Sequence, residues 1–116
     1  RLIALGGAGR LNVCDKKHTL VVDDIRYVSP AWRDIAMACV GQYEVYKQNS
    51  QVLWSYLSPP AMLVPGKRTG QFRLGKDELL VDQQGKSQIS IEDLAVALID
   101  EAEQNNFPQQ RFTLAY

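Results

Sequence analysis

Apolar positions along the chain follow two rhythms. Leu2-Ile3-Ala4-Leu5 and Val52-Leu53-Trp54-Ser55-Tyr56-Leu57 are short, nearly continuous apolar runs, the pattern of strands covered on both faces, as in a parallel sheet. Between them Trp32, Ile35, Cys39, Tyr43 and Tyr46 recur at helical spacing, which predicts an amphipathic helix from Ser29-Pro30 to about Gln48. Ser29 can cap its first turn and Pro30 suits the first helical position, while Gly41 lowers its stability by about 1 kcal/mol relative to Ala. A second helix is expected from Ser90: Ser90 as the cap, Asp93 at the reciprocal capping-box position, and Ile89 stapling onto Leu94. Leu94, Ala95, Leu98, Ile99 and Ala102 continue its buried face, and Asn105-Asn106 with Pro108 end it. Gln71-Phe72-Arg73-Leu74 and Leu79-Leu80-Val81, joined through Gly75-Lys76-Asp77-Glu78, predict a β-hairpin. Val13-Cys14 and Thr19-Leu20-Val21-Val22 are further strand candidates around a polar turn at Asp15-Lys16-Lys17-His18, Gln83 to Lys86 is a second turn, and Arg111 to Tyr116 a last strand. Strands alternating with amphipathic helices imply an α/β fold with a mostly parallel sheet and a hairpin insertion.

Composition narrows this further. A chain of 116 residues holds one domain at most. Thirteen Lys+Arg balance thirteen Asp+Glu, so no broad electrostatic footprint exists for nucleic acid or an anionic membrane. No apolar run approaches the roughly 20 residues that span a bilayer, and Leu2 to Leu5 is too short for the core of a signal peptide. Cys14 and Cys39 form no close pair, which fits free thiols in a reducing cytosol. Arg1 leads directly into a buried strand, and such strands have neighbours on both sides. The expectation is a single partial domain over 1–116, the distal portion of a longer fold, with a sheet edge open to strand addition and homo-oligomer formation.

Several residue groups could carry chemistry. Gly6-Gly7-Ala8-Gly9 follows the first strand and invites comparison with a dinucleotide-binding fingerprint, but Asn12 stands where the next glycine belongs and Val13 onward does not read as a helix. Taken alone, the run is a tight turn after a strand. Ser58 lies just past a predicted parallel strand, where open α/β sheets place ligands. Pro59-Pro60 behind it fix an extended backbone and remove two N–H donors. Lys67 and Arg68, between Gly66 and Thr69-Gly70, offer cations for an anionic substrate group, Arg68 the better shaped for it. Tyr43 and Lys47 match the Y-x-x-x-K acid/base pattern, yet Tyr43 stands on the apolar stripe, so it is read as core. Glu92 and Asp93 are read as helix-capping carboxylates. His18 is the sole histidine, which leaves no metal-ligand cluster. No catalytic side chain emerges.

Taken in order, Leu2-Ile3-Ala4-Leu5-Gly6-Gly7-Ala8-Gly9, Leu57-Ser58-Pro59-Pro60-Ala61, Pro65-Gly66-Lys67-Arg68-Thr69-Gly70, Ile89-Ser90-Ile91-Glu92-Asp93 and the terminal Arg111-Phe112-Thr113-Leu114-Ala115-Tyr116 resemble the C-terminal half of an atypical short-chain dehydrogenase/reductase. The resemblance is to the NAD(P)H-binding group that includes NADH-flavin reductase-like and NmrA-like proteins. It implies a Rossmann-like domain whose N-terminal half, with the glycine fingerprint, is absent, and an NADP or NAD cofactor bound poorly by this portion alone. It implies a nicotinamide-side wall made of Gly6, Gly7, Ala8 and Gly9 with Ser58, Pro59, Pro60 and Ala61. It also implies hydride transfer to a flavin or another flat small-molecule acceptor, with a non-enzymatic redox sensor or an inactive half-domain that pairs with another chain as alternatives. In relatives of the extended kind the catalytic Tyr falls near Ala31-Trp32, where none stands here.

Overall fold

The computed structural model describes residues 2–16 and 18–116; Arg1, and Lys17 of the expected polar turn, lie outside the described residues. The elements are β1 (Leu2–Leu5), α1 (Arg33–Gln48), β2 (Trp54–Ser58), β3 (Met62–Val64), β4 (Arg73–Gly75), β5 (Gln88–Ser90), α2 (Ile91–Gln104) and β6 (Gln110–Ala115). The main sheet has the order β1-β2-β6-β4. Its first three strands run parallel and β4 runs antiparallel to β6. β3 and β5 form a separate parallel pair.

The apolar run at 52–57 gives β2 only from Trp54, and there the strand is buried at every position, while Val52 and Leu53 before it are exposed. Because successive side chains point to opposite faces, β2 builds two cores at once. Leu57 joins Ile89, Leu94, Ala97, Phe112 and Leu114 beneath α2. Trp54 and Tyr56 join Ala4 and Tyr43 beneath α1, with Tyr46 packed against them. Each of the larger apolar side chains removed from water stabilises the fold by roughly 1.5–3 kcal/mol. Tilted ring contacts add to this: Tyr43 to Tyr56 at 5.1 Å and Tyr46 to Tyr56 at 5.3 Å between centroids.

Three expectations about local structure change. Pro30–Trp32 is a 3-10 turn, Ser29 makes no side-chain cap bond, and the α-helix starts only at Arg33. The hairpin does not form. Arg73–Gly75 pairs with β6 instead, and the 77–79 segment bonds to Asn12, whose N–H reaches Asp77 O at 2.8 Å and whose O accepts from Leu79 N at 2.9 Å. Val13-Cys14 and 19–22 are not strands either; they meet through the isolated bridge between Asn12 and Leu20, and Val21–Asp23 is a 3-10 turn. The reason is a non-local clamp. The Arg111 guanidinium, on β6, donates to Arg10 O at 3.0 Å and to Asp77 at 2.7 Å, so the 10–12 and 77–79 segments, paired with each other through Asn12, are both held to the sheet.

α2 starts as its sequence predicts on one side only. Ser90 Oγ accepts from Asp93 N at 3.0 Å, but the Asp93 carboxylate does not return the bond to Ser90. It accepts from Thr69 N, Thr69 Oγ1 and Gly70 N at 2.9, 2.7 and 2.9 Å, and from the Tyr116 hydroxyl. Asp93 is fully buried and thereby ties the 65–70 loop and the end of β6 to the start of α2. Burial alone would raise its pKa; hydrogen bonds from Tyr116, from the Thr69 hydroxyl and from the Gly70 and Thr69 N–H groups outweigh it and hold the carboxyl at about 2. Because this value lies below the ordinary 3.8, the stabilisation is complete above pH 3.8 and disappears as pH falls through about 2. Asp93→Asn is expected to cost about 2–3 kcal/mol at neutral pH, measured as a lower urea midpoint. The deficit should shrink as the two proteins are compared at lower pH, and a deficit independent of pH would contradict this account.

Candidate functional site

β1 and β2 lie side by side in parallel register, Leu5 opposite Leu57, so both chains leave the sheet at the same end. β1 runs into the glycine segment and β2 into Pro59-Pro60. This is the position, outside the carboxyl ends of parallel strands, where such sheets form a crevice. A cavity of about 430 Å³ opens there, with Gly7, Ala8 and Gly9 on one wall and Pro59, Pro60 and Ala61 on the other. Trp32, Ile35, Ala36 and Cys39 close a third side, and Tyr27 and Val28 stand on a fourth. No charged side chain lines it. A larger groove of about 650 Å³ runs along Asn12 to Lys16, His18 and Glu78. It lies on the polar loop away from the strand ends, and among the described residues no group of three His, Cys, Asp or Glu could hold a metal ion.

The small residues have separate reasons. A Cβ on Gly6 would stand 1.8 Å from Tyr56 Oη and 2.1 Å from Tyr56 Cζ, so Gly6 exists to let that ring pass. The Tyr56 hydroxyl then donates to Gln42 Oε1 at 3.0 Å, and burial pushes its pKa up to about 12. A Cβ on Gly7 would meet Cys39 Cβ at 3.0 Å, and one on Gly9 would meet Ala36 O at 3.2 Å. The glycine segment is therefore pressed against the first turns of α1, and its other side faces the cavity.

Of the residues expected to form a wall, six meet at this cavity and two do not. Gly6 and Ser58 are absent from its lining. Ser58 is fully buried as the last residue of β2, with Oγ lacking a partner and its carbonyl accepting from Thr113 Oγ1 at 2.6 Å. Arg68 lies apart from the cavity, in a groove along α2 beside Glu92 and Ile99. Tyr43 is 8% exposed, with the Arg111 guanidinium 4.4 Å from its ring centre, and it does not reach the cavity.

The sequence reading missed the fourth wall. Asp24, buried to 3% exposure, accepts from Arg26 N at 3.0 Å and from the Arg26 guanidinium, and its carbonyl accepts from both Tyr27 N and Val28 N at 3.0 Å. That carboxylate turn sets Tyr27 and Val28 at the opening. The Tyr27 phenol is raised above its ordinary value by burial, with the Arg26 charge opposing, so it is a neutral hydrogen-bond donor at physiological pH. Trp32 and Ile35 sat on the predicted helical stripe, but they are 64% and 61% exposed. The stripe extends past the strand ends and covers the crevice.

No family model matches the chain. It is 36% identical over 118 residues to the uncharacterized protein YwnB of Bacillus subtilis, covering 98% of this chain and 54% of that protein. A structure from Burkholderia pseudomallei, given as a putative exported protein, is 40% identical with a TM-score of 0.90, over 100% of this chain and 55% of the other. A putative NADH-flavin reductase from Streptococcus pneumoniae is 26% identical with a TM-score of 0.86, over 97% of this chain and 54% of that one. A short-chain dehydrogenase/reductase of the wide type from Veillonella parvula, in complex with NADP, shares the fold at a TM-score of 0.67 and 13% identity, over 100% and 50% of the two chains. The chain has the fold of the C-terminal half of a Rossmann-like NAD(P)-binding domain. It spans about half the length of the relatives it matches. In this half-domain the sheet order puts β1 at an edge with one side unpaired. No helix among the described residues is long and apolar enough to cross a membrane.

Gly6→Ala in this Rossmann-like sheet is expected to destabilise it by about 1–3 kcal/mol, the usual cost of overpacking. Combining it with Tyr56→Leu should cost less than the sum of the two single changes, as read by denaturant titration of the double-mutant cycle. Additive costs would mean that the ring and the glycine are not in contact.

Proposed function

We propose that the cavity between Gly7-Ala8-Gly9 and Pro59-Pro60-Ala61 is the nicotinamide side of an NAD(P)-binding site, and that the protein is an NAD(P)H-dependent reductase acting on a flavin or a similarly flat acceptor. The observation that carries this reading is the meeting of those two segments at the carboxyl ends of adjacent parallel strands. Their side chains are absent, methyl or proline ring, so a flat ring can lie against the main chain, and the lack of charge suits a nicotinamide ring better than a pyrophosphate. Gly6 and Ser58 support the wall from behind. Arg68 is assigned no contact with this site.

When bound, the reduced nicotinamide supplies the hydride. The chain's own residues orient and exclude water: Trp32, Ile35 and Val28 present apolar surface around the opening, and proline at 59 and 60 withholds N–H donors from the wall. Tyr27 is placed to donate a hydrogen bond from a protonated phenol. The shortage of proton donors on this cavity, Tyr27 and Cys39 being the two ionisable side chains in its lining, favours a second reading, a sensor that binds the nucleotide without turnover. The free thiols of Cys14 and Cys39 are the ground for placing the protein in the cytosol, and the unpaired side of β1 is the place where a further strand, from a second copy or another chain, would add.

The full-length protein with NADPH and FMN should consume the reduced nicotinamide, followed by its absorbance. Ala61→Phe, which fills the cavity, should raise KM for the nucleotide about ten-fold or more while leaving the melting temperature within a few degrees. Binding without turnover would select the sensor, and an unchanged KM in the variant would remove the cavity from the site.

A further inference from the structure

A second cavity, of about 420 Å³, lies at the opposite end of the sheet, by the amino ends of β2 and β6. Trp54 opens β2 and Arg111 is the second residue of β6, while Tyr43 and Lys47 come from the last turns of α1; Lys76 and Asp77 complete the charged part of its lining. Three cations therefore face one carboxylate in a chain whose overall charge is zero. Anionic compensation of these cations is partial, although the Arg111 guanidinium also donates to Arg10 O and both it and Lys47 lie over the Tyr43 ring. The Arg111 side chain is 4% exposed, and its one ion-pair partner, Asp77, is 63% exposed. Arg111 Nε is buried without a hydrogen-bond partner. Lys47 reaches Glu44 only at 3.9 Å, and Lys76 has no ion pair among the described residues.

A buried guanidinium carries a desolvation cost that its surroundings normally offset with a well-placed anion. Here the protein provides a solvent-exposed Asp77 and leaves two lysines turned toward the same hollow. A polar hollow of this size is large enough for a small organic phosphate, and its positive field would raise the local concentration of such an ion. Nucleic acid does not suit it, because the excess charge is confined to one concavity and does not extend as a stripe.

We infer that this cavity is a binding site for a small oxyanion, a phosphate or a compound carrying one, held by Lys47, Lys76 and the edge of Arg111. The site is independent of the nicotinamide cavity. Inorganic phosphate is the probe, added to the full-length protein in calorimetric titration and in thermal melts, against sodium chloride at matched ionic strength. Phosphate should bind one to one and raise the melting temperature where chloride does not. The Lys47→Ala/Lys76→Ala variant, which alters only exposed groups, should bind about ten-fold more weakly, and Asp77→Asn, which removes the competing carboxylate, should bind several-fold more tightly. Equal melts in phosphate and chloride, or affinities unchanged in both variants, would overturn the assignment. Loss of NADPH turnover in the Ala61→Phe protein with phosphate binding intact would show that the two cavities are separate sites.

Discussion

Burial of β2 on both faces is the constraint from which the remaining structure follows. Its alternating side chains face α1 and α2, so neither helix can shift without exposing one of two cores, and its neighbours β1 and β6 are held in parallel register on either side. Strands packed this way deliver their carboxyl ends to a common plane. The crevice is thus a by-product of strand direction, and the glycine and proline segments need only be small enough to leave it open. The same logic makes the amino ends converge on a second hollow, and there the side chains are long and charged.

Buried carboxylates do the tying that short loops cannot. Asp93 joins the 65–70 loop and the end of β6 to α2. Glu101, buried near the other end of α2, accepts from Ser55 Oγ at 2.7 Å, Asn106 N at 2.8 Å and Phe107 N at 3.0 Å. A negative charge there opposes the helix dipole, and these donors offset that cost while fixing the entry to β6. Asp24 plays the same part for the segment that carries Tyr27. Each is a case where a buried carboxylate defines a loop's path by gathering donors: from far along the chain for Asp93, from both near and far for Glu101, and from the adjacent Arg26 for Asp24.

Much of this was legible in the amino-acid order. The apolar runs at 2–5 and 52–57 gave parallel strands, the Ser90 start gave α2, and Asn105 ended it in the left-handed conformation with φ of 51°. What local pattern could not convey was long-range pairing. Leu79-Leu80-Val81 has the composition of a strand, but Asn12 takes up the main chain at Leu79, and β4 finds β6 some forty residues away. The predicted site was half visible for a similar reason. Small residues at strand ends can be read from the chain, whereas Tyr27 reaches the cavity through a turn organised by Asp24 and Arg26, whose chemistry looks like ordinary surface charge. Ser58 stands at the end of β2 with its side chain fully buried, a direction that its place after an apolar run does not convey.

The two tryptophans occupy opposite situations. Trp54 is 4% exposed, with its indole N–H on Asn49 O at 3.0 Å, while Trp32 is 64% exposed on the wall of the crevice. Their emission will differ in colour, blue for the shielded indole and red for the hydrated one. The molecule therefore carries two internal optical probes: one follows integrity of the sheet, the other occupancy of the opening, and neither requires a label.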